Sequence, residues 1–315
     1  MNNIKKIIWI FLIIALISFY SISFSWAQPK IGVALGMGGV KFFVHIGVLK
    51  ALEEADIEID YLSGTSSGAF LAGLYALWGD ISRIEEFSLN VDFVKYFKFL
   101  EDSINLRNIE NTPFIVFYTE RSGNKIKPKW LKGLVDVKSI RDEIDLLTNR
   151  ASFEYDLKIP FAAVATDLLT GEKIVISHGR ISNAIAASMA QPGTCIPFEF
   201  ENRTLMDGGL VDPVPSDIAR EMGADIVIGV SLKRIEWDTD PVMNNILSIL
   251  QRSIFIMNDE LHSVSSDEAD IFIEPQFKGN VGYFMNRKER EKLIKIGEEE
   301  AIKIIPRLKS LIDSY

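Results

Sequence analysis

Ser66 stands in Gly64-Thr65-Ser66-Ser67-Gly68, which matches G-x-S-x-G. The pattern carries chemistry in one context: a sharp strand-to-helix turn, where two glycines leave room and the serine Oγ is lifted clear of the backbone. The hydroxyl then lies at a helix N-terminus, whose free N–H groups and dipole favour developing negative charge. Outside that context the same string is an ordinary Gly/Ser turn. A nucleophilic serine also needs donors for an oxyanion. Gly36-Met37-Gly38-Gly39-Val40-Lys41 offers them, because glycines let main-chain N–H groups approach a ligand with no side chain in the way. One such donor is commonly worth about 100- to 1000-fold in rate. The same loop also reads as a tight strand–helix connection with no ligand. The dinucleotide fingerprint G-x-G-x-x-G fits it less well, since Lys41 falls where the third glycine belongs.

The base is the harder question. A Ser-His-Asp triad needs a histidine, and the chain has His45, His178 and His262. None has a surrounding motif, and the HGGG-type loop of lipase-like α/β-hydrolases is absent. Asp207 is the other candidate, in Leu205-Met206-Asp207-Gly208-Gly209. Asp-Gly is also a common turn. At its reference pKa of about 3.9 an aspartate is a poor base at neutral pH. Burial in a dry pocket would raise that pKa and strengthen its hydrogen bond to the serine.

These residues need elements to position them. Lys30–Leu35 reads as a buried strand ended by the glycine loop. Residues 43–55 read as a helix, with Ile46, Leu49 and Leu52 on one side and Glu53 and Glu54 on the other. Ile57–Leu62 alternates like a strand, and Ala69–Trp78, apolar all round, reads as a buried helix stopped by Gly79-Asp80. Further on, the expected strands are Ile159–Thr166, Lys173–Ser177, Arg203–Met206, Asp225–Ser231 and Ile271–Ile273. The expected helices are Ser182–Met189, Ser216–Met222, Asn245–Asn258 and a charged C-terminal helix over 287–314, bent at Pro306. Residues 82–150 show no regular pattern. Strands alternating with helices predict an α/β fold, a mostly parallel central sheet flanked by helices, with right-handed crossovers. No linker interrupts it, so residues 28–315 are expected to form one domain.

The chain has 315 residues, 48% of them hydrophobic and 24% charged, enough to bury a large core. Its formal charge of −9 argues against a general nucleic-acid partner, which would need a basic face. The one cysteine, Cys195, excludes an intrachain disulfide and cysteine-rich zinc modules. The N-terminus combines Lys5 and Lys6, the apolar run Ile7–Tyr20 and Ser25-Trp26-Ala27, the layout of a signal peptide cleaved after Ala27. As a helix the 14-residue run would be about 21 Å long, short of the roughly 30 Å hydrocarbon core. The expectation is therefore export, to a periplasm or beyond. The alternative is an uncleaved anchor that recruits residues 21–27.

Three ordered blocks, Gly36–Lys41, Gly64–Gly68 and Asp207-Gly208-Gly209, together resemble the patatin-like phospholipase family. The resemblance extends over most of the chain through His45–Glu54, Ala165–Leu168, Ala187–Gly193 and Val211–Pro215. It implies a three-layer patatin-like fold and a Ser-Asp dyad without histidine, in which Ser66 attacks an ester carbonyl and Asp207 takes its proton. It also implies an oxyanion hole of the amides around Gly38 and Gly39, with the basic Lys41 close by. In that family the glycine motif usually ends in Gly; here the position is Phe42. No cofactor or metal is implied. The expected reaction is two-step acyl transfer to water from a phospholipid, lysophospholipid or acylglycerol. The aromatic and basic run Phe93–Leu100, with Lys125, Lys127, Lys129 and Trp130, could meet a membrane surface or could be core packing and a solvated loop. Two other functions stand beside hydrolysis: a non-catalytic lipid-binding protein with the loop spoiled by Phe42, and acyl transfer to an acceptor other than water.

Overall fold

The computed structural model describes residues 28–91, 118–122, 125–129, 136–233, 246–276 and 285–315. Residues 1–27, with the expected signal peptide, the run Phe93–Leu100 and Trp130 lie outside the described residues.

In chain order, β1 (Ile31–Leu35) leads through the glycine loop and a short 3-10 turn, Gly39–Phe42, into α1 (Phe43–Glu54). β2 (Tyr61–Thr65) then passes at Ser66 into α2 (Ser67–Trp78). The second strand thus starts later than the alternation at Ile57–Leu62 predicts and runs on into Ser63-Gly64-Thr65. Ile57 and Ile59 are buried ahead of the ladder, and the Asp60 carboxylate accepts the Ile31 amide at 2.7 Å before strand pairing begins at Tyr61. Residues 82–150, expected to be irregular, hold α3 (Ile81–Asn90), the paired β3 (Tyr118–Ser122) and β4 (Lys125–Lys129), and α4 (Val137–Leu147). Both helices start on an aspartate that accepts a first-turn amide, Asp80 from Arg83 and Asp136 from Lys138. Asp80, read as a stop, is also a start.

The chain continues through β5 (Phe161–Asp167), β6 (Lys173–Ile176), α5 (Ile181–Ser188), β7 (Phe198–Phe200) and β8 (Arg203–Asp207). β7 is absent from the sequence reading. Glu201 and Asn202, both at positive φ, turn it tightly into β8. The last elements are α6 (Ser216–Glu221), β9 (Ile226–Val230), α7 (Ile246–Ser265), β10 (Ile271–Ile273) and α8 (Arg287–Asp313). α7 runs seven residues past its expected end, and α8 continues through Pro306.

The sheet order is β10-β9-β1-β2-β5-β8-β7, with β6 also on β5. From β10 to β5 every pairing is parallel; β6, β8 and β7 join antiparallel. The fold is α/β, a mixed sheet between helices. Side chains alternate across it. Ala163 and Ala165 of β5, and Ile226, Ile228 and Val230 of β9, enter the large core shared with α1, α2, α5 and α8. Ala162 and Val164 meet Ile218 of α6 on the other face, where Val227 meets Ala219. Where α1 and α8 cross, a Cβ on Gly47 would stand 1.8 Å from the Ile294 carbonyl oxygen and one on Gly297 1.9 Å from that of Val44. The backbones touch there, which clamps the helix that follows the glycine loop.

Candidate active site

Ser66 lies between β2 and α2 at φ 57°, ψ −122°, a region an L-residue enters at a cost of roughly 1–3 kcal/mol. The flanking glycines are there for space. A Cβ on Gly68 would lie 2.0 Å from the Leu35 carbonyl oxygen, and one on Gly64 2.6 Å from the Ala69 Cα. The turn can be this tight, and α2 this close to β1, only without those carbons. The Ser66 amide donates to the Ser188 Oγ at 2.8 Å.

The Ser66 hydroxyl donates to the Asp207 Oδ2 at 2.6 Å, joining residues 141 positions apart. Strand register explains the meeting. Thr65, the last residue of β2, pairs with Val164, and Asp207, the last of β8, pairs with Ala165. Ser66 is therefore level with Asp207 across β5, two strand spacings or roughly 10 Å away along the sheet. The Asp207 Oδ1 accepts the Gly209 amide at 2.8 Å, and the Asp207 main chain is tied at both ends: its N–H to Ala190 O at 2.9 Å, its C=O to the Thr166 hydroxyl at 2.9 Å. Asp207 is 4% exposed. Burial pushes its carboxyl up to about 6, against the opposing pull of the hydrogen bonds from Ser66 and Gly209. At neutral pH it is thus an ionised carboxylate near the pKa of a useful base. The buried Cys195 thiol is pushed up to about 11, chiefly by burial and also by the charge of Asp207.

The glycine loop follows β1, whose Leu35 pairs with Gly64 of β2, so loop and Ser66 share one sheet edge. The amides of Gly36 and Met37 are used structurally, on Val230 O at 2.9 Å and Pro213 O at 2.8 Å. Those of Gly38 and Gly39, at the start of the 3-10 turn, have no acceptor among the described residues. Gly39 takes φ +56°, and a Cβ on it would meet nothing within 4 Å, so it faces open space. Lys41, expected beside the oxyanion, gives its amide to Gly38 O at 3.2 Å and its ammonium to Leu232 O at 2.9 Å. Phe42 is 5% exposed, stacked on Phe43 at 4.3 Å and edge-on to Phe70 at 6.1 Å. It fills the core beneath the loop and has ordinary right-handed helical backbone, φ −54° and ψ −20°. The stretch Asp212-Pro213-Val214-Pro215 after Asp207 returns to β2, the strand that ends at Ser66. Its carbonyls accept the Thr65 hydroxyl (Asp212, 2.9 Å) and the Ser63 hydroxyl (Pro215, 2.7 Å), besides the Met37 amide.

No histidine bonds Ser66 or Asp207. His45 is fully buried, with Nε2 on the Gly36 carbonyl at 2.8 Å, so that nitrogen carries the proton. Burial lowers its pKa to about 4, keeping it neutral. It anchors the glycine loop from α1, a task that its place inside a helix does not announce. His178 is exposed and pairs with Glu201 at 2.9 Å. His262 is 3% exposed, with Nδ1 2.9 Å from the Ser231 hydroxyl; burial, then the Lys41 and Lys233 cations, lower it to about 3. Ser188 and Ala190 also escape a reading of the residues for chemistry. The available signal was a serine closing an alanine-rich helix.

With this geometry in hand, comparisons place the chain among known proteins. A family model described as patatin-like phospholipase matches residues 33–220. An uncharacterized NTE family protein of Mycobacterium tuberculosis is 33% identical over 210 residues, 67% of this chain and 51% of the relative. Lysophospholipase nte1 of Aspergillus fumigatus is 28% identical over 222 residues, 69% of this chain and 13% of that protein. The chain thus spans about half the length of the mycobacterial relative it matches. The crystal structure of VipD from Legionella pneumophila aligns with 89% of this chain and 67% of its own at 14% identity, with a TM-score of 0.45.

Proposed function

The chain belongs to the patatin-like phospholipase family, and on that premise we propose that it is a serine lipid acyl hydrolase working through a Ser66–Asp207 dyad. The observation that carries the reading is the 2.6 Å contact between the Ser66 hydroxyl and a buried carboxylate, beside a loop with two uncommitted amides. In the first step Asp207 accepts the Ser66 proton as Oγ attacks the ester carbonyl. The amides of Gly38 and Gly39 donate to the oxygen that gains negative charge. The protonated Asp207 then gives its proton to the departing alcohol, leaving an acyl group on Ser66. In the second step Asp207 takes a proton from water, the hydroxide attacks the acyl carbonyl, and return of the proton to Ser66 frees the fatty acid. Lys41 acts in this scheme by fixing the loop, with its ammonium on Leu232 O.

The substrate class in this proposal is a long-chain phospholipid, lysophospholipid or acylglycerol. The buried place of Phe42 favours hydrolysis over a spoiled loop, since that ring packs below the loop rather than across it. Contact with a lipid surface belongs to the same proposal. α7 binds the loop from one side, Asn258 Nδ2 to the Met37 Sδ at 3.4 Å, and exposes Ile249 and Ile256 on the opposite side with Leu250 and Met257 exposed on a flank. Export after cleavage at Ala27 completes it, and N-terminal sequencing of the secreted protein tests that part. For the enzyme, a fluorophosphonate probe is expected to label wild type and not Ser66→Ala. A lipid panel run on both identifies the ester, and added alcohol distinguishes transfer from hydrolysis. A wild-type protein that stays unlabelled and cleaves no ester overturns the reading.

A further inference from the structure

We propose that Ser188 is a positioning residue, and that the turn ending α5, Ser188 to Ala190, sets the separation of the dyad by holding the backbones of both its members. The inference rests on the dyad reading above. Two residues of one turn make the contacts. The Ser188 Oγ accepts the Ser66 amide at 2.8 Å, and the Ala190 carbonyl accepts the Asp207 amide at 2.9 Å. Ser188 is at the same time a donor, its hydroxyl to the Val164 carbonyl at 2.6 Å. Val164 is the β5 partner of Thr65, and its carbonyl lies where a Cβ on Gly208 would come within 2.2 Å. The bridge therefore links the nucleophile turn to β5 at the point where the strand of the base passes.

Ser66 needs such a tie. Its φ of 57° is unfavourable, its amide lies outside the hydrogen bonding of α2, and its N-cap side chain makes no capping bond because it faces Asp207. A hydroxyl that accepts the amide while its own proton is fixed on Val164 holds the turn without competing for Asp207. Ser188 and Ala190 are both fully buried, so their ends of these bonds are shielded from solvent. Alanine at 188 removes the acceptor of the Ser66 amide and leaves the Val164 carbonyl without that donor. The turn is then free to relax toward ordinary φ, which carries Oγ away from Oδ2.

The test compares Ser188→Ala with Ser182→Ala. Ser182 is a second fully buried serine of α5, bonded to Asp145 at 2.8 Å and remote from the dyad, so it controls for loss of a buried hydroxyl. Turnover of a short soluble ester is expressed per active site by fluorophosphonate titration. The expected result is a fall in kcat of about 10- to 100-fold for Ser188→Ala at unchanged KM, and none for Ser182→Ala. The acid limb of its pH profile should also move to higher pH, because Asp207 loses the hydrogen bond from Ser66 that favours its charged form. Equal kcat in wild type and Ser188→Ala overturns the proposal, as does an equal loss in both variants. If Ser188→Ala does not accumulate folded, Ser188→Cys, a weaker acceptor of similar shape, carries the same expectations. A crystal structure of the variant reads the claim without turnover: Oγ and Oδ2 beyond hydrogen-bond reach support it, and an unchanged 2.6 Å contact sinks it. An inactive wild type would instead count against the hydrolase reading alone.

Discussion

The two halves of the sheet hold the two members of the proposed dyad by largely different means. On the parallel side, Ser66 is kept in place chiefly by steric closeness, with glycines that admit no Cβ, a strained φ and α2 pressed on β1, and by one hydrogen bond from its amide to Ser188. On the antiparallel side, Asp207 has ordinary extended backbone and is held by hydrogen bonds to Ala190, Thr166 and Gly209. The first region stores conformational strain; the second stores electrostatic work, a carboxylate kept from water. β5 joins them, parallel to one neighbour and antiparallel to the other. The difference teaches that, in the proposed dyad, preparation is divided: geometry sets the hydroxyl of Ser66 and desolvation sets the carboxylate of Asp207.

Substitutions can break that contrast, beginning with the chemistry. Ser66→Ala should reduce ester hydrolysis to background, and Asp207→Asn should lower kcat/KM by about 100- to 10,000-fold. The stability of Asp207→Asn separates the two regions further. A carboxyl whose pKa rises from 3.8 to about 6 on folding destabilises the protein as pH climbs through that window, because the folded state must give up a proton it holds more tightly. Asp207→Asn should therefore be more stable than wild type at pH 8, by of the order of 2–3 kcal/mol, and no more stable at pH 3.5. Urea titrations at both pH values check this, and equal stabilities at pH 8 would refute the desolvated-carboxylate account.

Next come the glycines. Gly68→Ala places a methyl carbon 2.0 Å from a backbone oxygen and should cost about 3 kcal/mol or more, with loss of labelling. Gly209→Ala, on the other side, meets the Met37 sulfur, which can swing aside, and should cost about 1–2 kcal/mol by thermal melts. If the two cost the same, the steric half of the contrast is wrong.

The buried histidines give the opposite pH trend from Asp207. His45 and His262 stay neutral in the fold down to about pH 4 and about pH 3, whereas their unfolded forms take a proton near 6.5. Stability should thus be lost as pH falls below 6.5. With Asp207 opposing, these three groups together should cost roughly 3 kcal/mol between pH 7 and 4.5, as followed by urea titration. The smallest effect belongs to His178→Ala. It removes an exposed pair with Glu201 and should change stability by about 0.5 kcal/mol or less and turnover not at all. Loss of activity there would point to a triad.

Much of the fold is legible residue by residue. The strand at Ile31–Leu35 and the helix after Ser66 show as apolar runs, and the strand that delivers Asp207 shows just ahead of its two glycines. α3 and α4 were missed, although Asp80 and Asp136 are helix starts and Val137, Ile140, Ile144 and Leu147 repeat at helical spacing. β7 was missed, and its pairing with β8 is what makes it a strand. Nothing in the spacing of Lys41 says that its ammonium ends on Leu232.

The sequence by itself determined what depends on neighbours along the chain: the glycines that permit the turn at Ser66, the alternation that sorts side chains between two faces, and the residue types able to attack and to accept a proton. Only the tertiary structure decided that β8 runs against β5, that Asp207 therefore lies level with Ser66, that one turn of α5 grips both, and that Asp207 is dry enough to titrate near 6. The reason is physical. Local conformation is set by sterics within a few residues, whereas register and dielectric are properties of segments that meet only when the chain has folded.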